Sequence, residues 1–249
     1  MAECIHGFDE GLCDVCFPRK APEPVRAVRT AVRAPRATTV RTPTASAAPA
    51  TLRLAGRRVF HVTHLRTLES IALDGALVGA AVPDVDVSSA TTRELRATAT
   101  APDGRSVADF VSFFLAQDAS RWEELRSGAE GAHWSDAARA AKPTEFVILA
   151  VPVDALGDDV VFADGDAGAV ATRFAAGVEA GTQALRRLHA SDPDFRDAEL
   201  LAAGPVPLGA VAIVTVANDR VRDEVRAMFA SAGLPTPRIA VYPPVFQPA

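Results

Sequence analysis

RVFHVTHLRTLESIALDGAL, residues 58–77, decides how the body of this 249-residue chain is read. Val59–Thr63 is a short run of β-branched and aromatic residues, the composition of a strand. From Leu65 the period changes: Leu65, Leu68, Ile71 and Leu73 line a helix, and Gly75 ends it as a residue free to turn left-handed. His61 and His64 flank the junction between the two. More than a hundred residues later, RDAELL (Arg196–Leu201) brings one carboxylate, Glu199, into an apolar segment. Two imidazoles at one strand end and a lone glutamate on a late strand outline a polar cleft in an apolar body.

The patterning around this stretch is that of a mixed domain. Phe146–Val153, Val160–Ala163, Leu200–Ala202, Val211–Ala217 and Arg238–Tyr242 read as strands. Ala119–Arg126, Ser135–Ala141, Val178–His189 and Asp219–Ala232 read as helices, the third with Val178, Leu185 and Leu188 on one side and the last stopped by Gly233. Val107–Leu115 is a buried apolar segment that fits either state. Strands and helices do not alternate strictly and no GxGxxG follows the first strand, which favours an α+β fold over a doubly wound sheet. No internal repeat is present.

Upstream of Arg58 the composition shifts. All three cysteines lie in the first sixteen residues, so no disulfide ties the body together, as expected of a reducing compartment. Cys4, His6, Cys13 and Cys16 have the spacing of a four-ligand structural zinc knuckle, with Gly7 and Gly11 for its turns. Residues 1–18 hold four acids and no Lys or Arg; residues 19–58 hold ten Lys/Arg against Glu23; the net charge of −5 leaves an acidic remainder. Prolines 22, 24, 35, 43 and 49 break any helical period, so residues 19–57 read as a disordered basic linker, either a solvated spacer or an arm attracted to nucleic-acid phosphates. The mean hydropathy is +0.12, yet no apolar run reaches the ~18 residues of a membrane span, and the acidic start is unlike a signal peptide. A cytoplasmic protein without membrane contact is expected.

Spacing alone leaves the site open. A histidine in a half-buried strand is most often hydrogen-bonded structure, and His61 with His64 lacks a third ligand at metal spacing. Acids also sit at strand edges for purely structural reasons.

Four segments in order resemble the DarT family of single-stranded-DNA thymidine ADP-ribosyltransferases. Phe60-His61-Val62-Thr63-His64, Leu68, Ile71 and Gly75 match its opening YHITHxxNLxxILxxGL. TRELRATATAPDGRSVADFVSFF (92–114) resembles its arginine pair, glycine turn and HDYVPFYF; VVFADGDAGAVATRF (160–174) resembles its loop before the acceptor region; FRDAELLA (195–202) resembles KRQAEFLV. The resemblance spans about residues 58–249 and implies an ADP-ribosyltransferase-like mixed sheet with flanking helices.

It also implies chemistry. NAD would be consumed as substrate, its nicotinamide leaving through an oxocarbenium-like transition state. Glu199 would stabilise that charge and take the acceptor proton; Arg96, with Arg93 in reserve, would neutralise the pyrophosphate and help move the proton. His61, Thr63, His64 and Leu68 would line the NAD site. The acceptor would be an unpaired thymine in single-stranded DNA, and the family role is that of a toxin or phage-defence enzyme opposed by a macrodomain antitoxin. ADP-ribosylation of RNA or protein, or a noncatalytic zinc-containing nucleic-acid-binding module, are the rival readings. The chain departs from the pattern in FVSFFLAQDASRW, which lacks the family's tyrosines and proline, and in Ala169–Phe174, which lacks a histidine but keeps Arg173. Trp122 and Trp134 are then either replacement platforms for stacked bases or helix-packing residues.

Overall fold

The computed structural model describes residues 52–248. The zinc-knuckle residues Cys4, His6, Cys13 and Cys16, and the linker up to residue 51, lie outside the described residues. In chain order the elements are β1 (Arg58–His64), α1 (Leu65–Asp74), β2 (Ala76–Leu77), α2 (Ala90–Thr98), β3 (Phe110–Phe114), α3 (Ser120–Arg126), α4 (Asp136–Ala140), β4 (Phe146–Pro152), β5 (Val160–Ala163), β6 (Phe174–Ala176), α5 (Val178–His189), β7 (Glu199–Ala203), β8 (Val206–Pro207), β9 (Ile213–Val216), α6 (Asp219–Ser231) and β10 (Arg238–Val241). The expected α+β class holds: eight strands form one mixed sheet in the order β10-β9-β4-β1-β3-β7-β5-β6, antiparallel except between β9 and β10.

Alternation along the strands divides the interior. Val59, Val111, Phe113, Leu149, Phe162 and Leu200 face one side, where Leu68 of α1, Leu185 of α5 and Val225 and Phe229 of α6 cover them. On the other side Trp122, Trp134, Phe146, Ile148 and Phe246 form a second cluster. Val107, Phe110, Val161 and Leu201 form a third. Leu68 is fully buried, so its truncation to alanine removes about 2–5 kcal/mol.

Helix α1 is fixed at both ends by its own sequence. His64 caps the first turn, its Nδ1 accepting from Arg66 N at 3.2 Å. Gly75 stands at φ +77° with its N–H on Ile71 O at 2.9 Å. The apolar face differs from the expected one: Leu68 and Ala72 are buried, whereas Leu73 is 74% exposed, because its position falls a third of a turn off the buried stripe.

The folded part also begins earlier than Arg58. Leu54 is completely buried, its N–H donates to Thr182 Oγ1 at 3.1 Å, and Gly181 leaves the space its side chain fills. The linker expected over residues 19–57 therefore ends before Leu52 packs on the core. Val107–Leu115 resolves into a short 3-10 turn and then β3. Among the described residues, no helix is long and apolar enough to cross a membrane.

Candidate active site

The cleft opens where the sheet forks. β1 pairs with β4 over seven residues and β3 with β7 over five, but β1 and β3 share one paired position, Phe60↔Phe114. Past that point the two strands part, and a cavity of about 830 Å³ lies between them and the segment from Val78 to Ser88. That volume is within the range of small-molecule clefts. His61, Thr63 and His64 from β1, Ser112 and Phe114 from β3, Arg96 from α2, Arg121 from α3, Asp166 and Glu199 all line it.

His61 bridges the fork. Its Nδ1 donates to the carbonyl of Ser112 at 2.9 Å, an acceptor that a strand N–H would take in an unbroken ladder. A carbonyl cannot donate, so Nδ1 carries the proton and Nε2 of the neutral ring is an acceptor. Burial pushes the imidazole below its ordinary value, the Ser112 bond opposing this only in part. His61 is thus neutral at physiological pH, with its ring edge-on to Phe113.

Glu199 is the deepest charge in the cleft, 3% exposed. It sits opposite Phe114 on β3 and Ala163 on β5, at the start of β7. Arg96 Nη1 lies 3.2 and 3.1 Å from its two oxygens, Nη2 lies 3.1 Å from Oε2, and Ala167 N donates to Oε1 at 3.3 Å. A carboxylate this buried needs such a partner, since an unpaired one would cost several kcal/mol. Burial by itself would lower the Arg96 guanidinium, but the charges of Glu199 and Asp166 outweigh it and raise it above its ordinary value. Arg96 is therefore a cation where it rests against Glu199.

The other expected residues divide. Thr63 lies beside His61 in the cleft wall. His64 reaches the cleft too, but its Nδ1 caps α1, its Nε2 is 3.9 Å from Glu145 and its ring stands edge-on to Phe146, so it shapes the site as part of the scaffold. Leu68 is corrected: it is a core residue and does not line the cleft. Arg93 points to Asp86 and the Ser88 carbonyl at the rim, half exposed, and makes no contact with Glu199. Arg173 is held at the surface by Asp164. Trp122 is 1% exposed, its indole N–H donating to Val245 O at 2.8 Å, which makes it a packing residue. Trp134 is 8% exposed in the cleft wall against His133.

Three contributors were not singled out from sequence. Ser112 holds His61 through its carbonyl and takes Arg96 Nη2 on its hydroxyl. Asp166 lies 3.6 Å from Arg96 Nη1 and is bonded to Arg121. The signal for Ser112 was present: it is the one polar residue inside FVSFF. Among the described residues no group of His, Cys, Asp and Glu is placed to hold a metal ion.

The fold is also found in solved structures. DarT of Thermus sp. 2.9 in complex with ADP-ribosylated single-stranded DNA superposes with a TM-score of 0.65 at 20% identity, over 76% of this chain and 96% of that one. The same protein in complex with NAD+ gives 0.60 at 20% identity, over 76% and 97%. DarTG of Thermosipho africanus in complex with ADP-ribose gives 0.58 at 16% identity, over 76% of this chain and 51% of that one. No curated protein matches the sequence. The family model described as ssDNA thymidine ADP-ribosyltransferase, DarT, matches residues 60–247, which include every cleft residue described above, and the chain belongs to that family.

Proposed function

We propose that this enzyme breaks the bond between nicotinamide and ribose in NAD and transfers the ADP-ribose to a thymine base in single-stranded DNA. The observation that carries this reading is the buried Glu199, held by Arg96 in the cleft of a DarT-family fold. The Thermus relative was captured with NAD+ and with ADP-ribosylated single-stranded DNA, which fits the same two substrates here.

The residues divide the chemistry as follows. His61 presents a neutral Nε2 as acceptor to the ribose or amide of NAD, with Thr63 beside it. Arg96 and the strand fork hold the Glu199 carboxylate where positive charge develops on the ribose. As the C1″–nitrogen bond breaks, its electron pair leaves with nicotinamide, the thymine ring nitrogen bonds to C1″, and the proton of that nitrogen passes to Glu199. Arg96 holds Glu199, neutralises the phosphates and helps relay the acceptor proton. The base must be unpaired to offer that nitrogen.

Cys4, His6, Cys13 and Cys16 are proposed to bind one structural zinc, on their spacing. The basic linker is proposed to add nonspecific attraction to the DNA backbone, and a macrodomain antitoxin to remove the mark in the cytoplasm.

Incubation of full-length protein with NAD and a mixed single-stranded oligonucleotide, followed by intact mass spectrometry of DNA and protein, tests the reading. One ADP-ribose on the DNA, absent with Glu199→Ala, supports it. Released nicotinamide with unmodified DNA moves the acceptor to RNA or protein. Intact NAD sinks the enzymatic reading in favour of a binding module.

A further inference from the structure

Two carboxylates face one guanidinium in this cleft, and of the two only Glu199 is within hydrogen-bonding distance of it. Arg96 is bonded to Glu199 through both Nη atoms, while Asp166 Oδ1 waits 3.6 Å from Nη1 on the side away from Ser112. Asp166 belongs to the loop of residues 164–173 that joins β5 to β6, and that loop is organised around it. Gly168 N donates to Asp166 Oδ1 at 2.9 Å, Thr172 Oγ1 donates to the Asp166 carbonyl at 2.6 Å, and Arg121 holds Oδ2. The loop is pressed on the arginine: a Cβ on Gly168 would stand 3.0 Å from Arg96 Cγ. Burial would raise the Asp166 carboxyl, but the Gly168 amide and the guanidinium groups of Arg121 and Arg96 hold it below the usual carboxylate value, so it is an anion at neutral pH.

We propose that Asp166 is a positioning residue that receives the Arg96 guanidinium when Glu199 is released to act on substrate. This rests on the function proposed above. Glu199 meets three donor nitrogens through four contacts on its two oxygens, so ribose or an incoming base proton must compete with the Arg96 guanidinium for them. A guanidinium that is mostly buried cannot simply be left unpaired. A second anion already within 3.6 Å lets it shift by less than an ångström to ordinary bonding distance and keep a partner throughout. Arg121 limits the exchange by sharing Asp166, so that Arg96 rests on Glu199 until ligand arrives.

A double-mutant cycle on full-length protein tests the sharing without relying on activity. Urea midpoints are measured for wild type, Glu199→Gln, Asp166→Asn and the double variant. Sharing makes the double variant lose more than the two single losses together, because only there does Arg96 lack any carboxylate; the loss of Arg121's partner occurs in both arms and cancels. Additive losses overturn the proposal. With NAD, nicotinamide release by Asp166→Asn should fall about tenfold or more in kcat with KM for NAD within about twofold, and Asp166→Glu should recover part of it, the signature of a lost step after binding. An unchanged kcat with a raised KM overturns the hand-off and leaves Asp166 as a binding residue. Wild-type protein that releases no nicotinamide sinks the proposed function instead, and the folding cycle then decides on Asp166 by itself.

Discussion

Arg96 and Glu199 are 103 residues apart in the chain and meet with Nη1 3.1–3.2 Å from both carboxylate oxygens. Neither is tolerable alone at that depth, so each variant carries a different cost. Glu199→Gln keeps volume and one acceptor oxygen but removes the charge; ADP-ribosyl transfer should fall by roughly 10²–10³ or more, as when a preorganised charge is taken from a transition state. Arg96→Leu should lose activity and also destabilise the fold by about 3–5 kcal/mol, because Glu199 retains only the Ala167 amide. Oligonucleotide mass shift measures the first effect and urea unfolding the second. A fully active Glu199→Gln would remove the basis of the proposed chemistry.

The second prediction concerns acid. His61 is held neutral by burial, so its value in the fold lies below that in the unfolded chain. Near pH 7.5 the ring is neutral in both states and costs nothing. As pH falls below the unfolded value of about 6.5, the unfolded chain binds a proton that the fold refuses, and stability declines until the folded value is reached. His61→Gln lacks that proton and keeps an amide donor for the Ser112 carbonyl. The difference in urea midpoint between wild type and His61→Gln should therefore shift in favour of the variant from pH 7.5 to 5.5. His64, also lowered by burial, is common to both proteins and cancels. A constant difference across that range would mean that His61 titrates normally.

Much of this cleft was legible in sequence, for definite reasons. β1 and α1 were read nearly to the residue because a change of period and a left-handed glycine are local signals. α5 was read over its full length because Gly181 and Leu185 turn toward the core and Val178 and Leu188 follow. α2 was not recognised as a helix although it carries Arg96: it buries no residue, so it has no apolar stripe, and what stabilises it is the Ser89 cap. The Asp166–Arg121 pair was illegible for another reason. It joins positions 45 residues apart on a loop and a helix, and no period relates them. His64 was placed at the NAD site by the resemblance; it does line the cleft, and its second part as the cap of α1 was not read.

Gly168 offers a test of the Arg96 position that leaves every polar group in place. Its φ is not in the left-handed region, so alanine meets no backbone strain there; the added Cβ meets Arg96 Cγ at 3.0 Å and Asp166 Oδ1 at 3.4 Å. The arginine stem must move by a few tenths of an ångström, and its guanidinium is displaced at the far end. Gly168→Ala should keep its melting temperature within a few degrees and lose several-fold in transfer rate, since reaction rates respond steeply to small misplacements. An unaltered rate would show that the site tolerates a mobile Arg96.

Gly79 anchors the other wall of the cleft. A Cβ there would stand 2.1 Å from the Asp109 carbonyl oxygen and 2.8 Å from Phe110 N, both backbone, so neither neighbour can swing aside as a side chain would. The next residue, Ala80, donates its N–H to Ala108 O at 2.8 Å and holds a positive φ of 55°, which ties the start of the segment over the cleft to the 3-10 turn that leads into β3. At the other end, Ser135 N–H on Val87 O and Ser89 N–H on His133 O tie it down again. Gly79→Ala must push the first anchor off the turn before β3 and leave the second intact. Overpacking of this kind costs about 1–3 kcal/mol. The segment then opens on the side of His61, so KM for NAD should rise several-fold more than kcat falls, as read from initial rates of nicotinamide release. A drop in kcat at constant KM would place the effect at Glu199 instead and contradict a part for this wall in holding NAD.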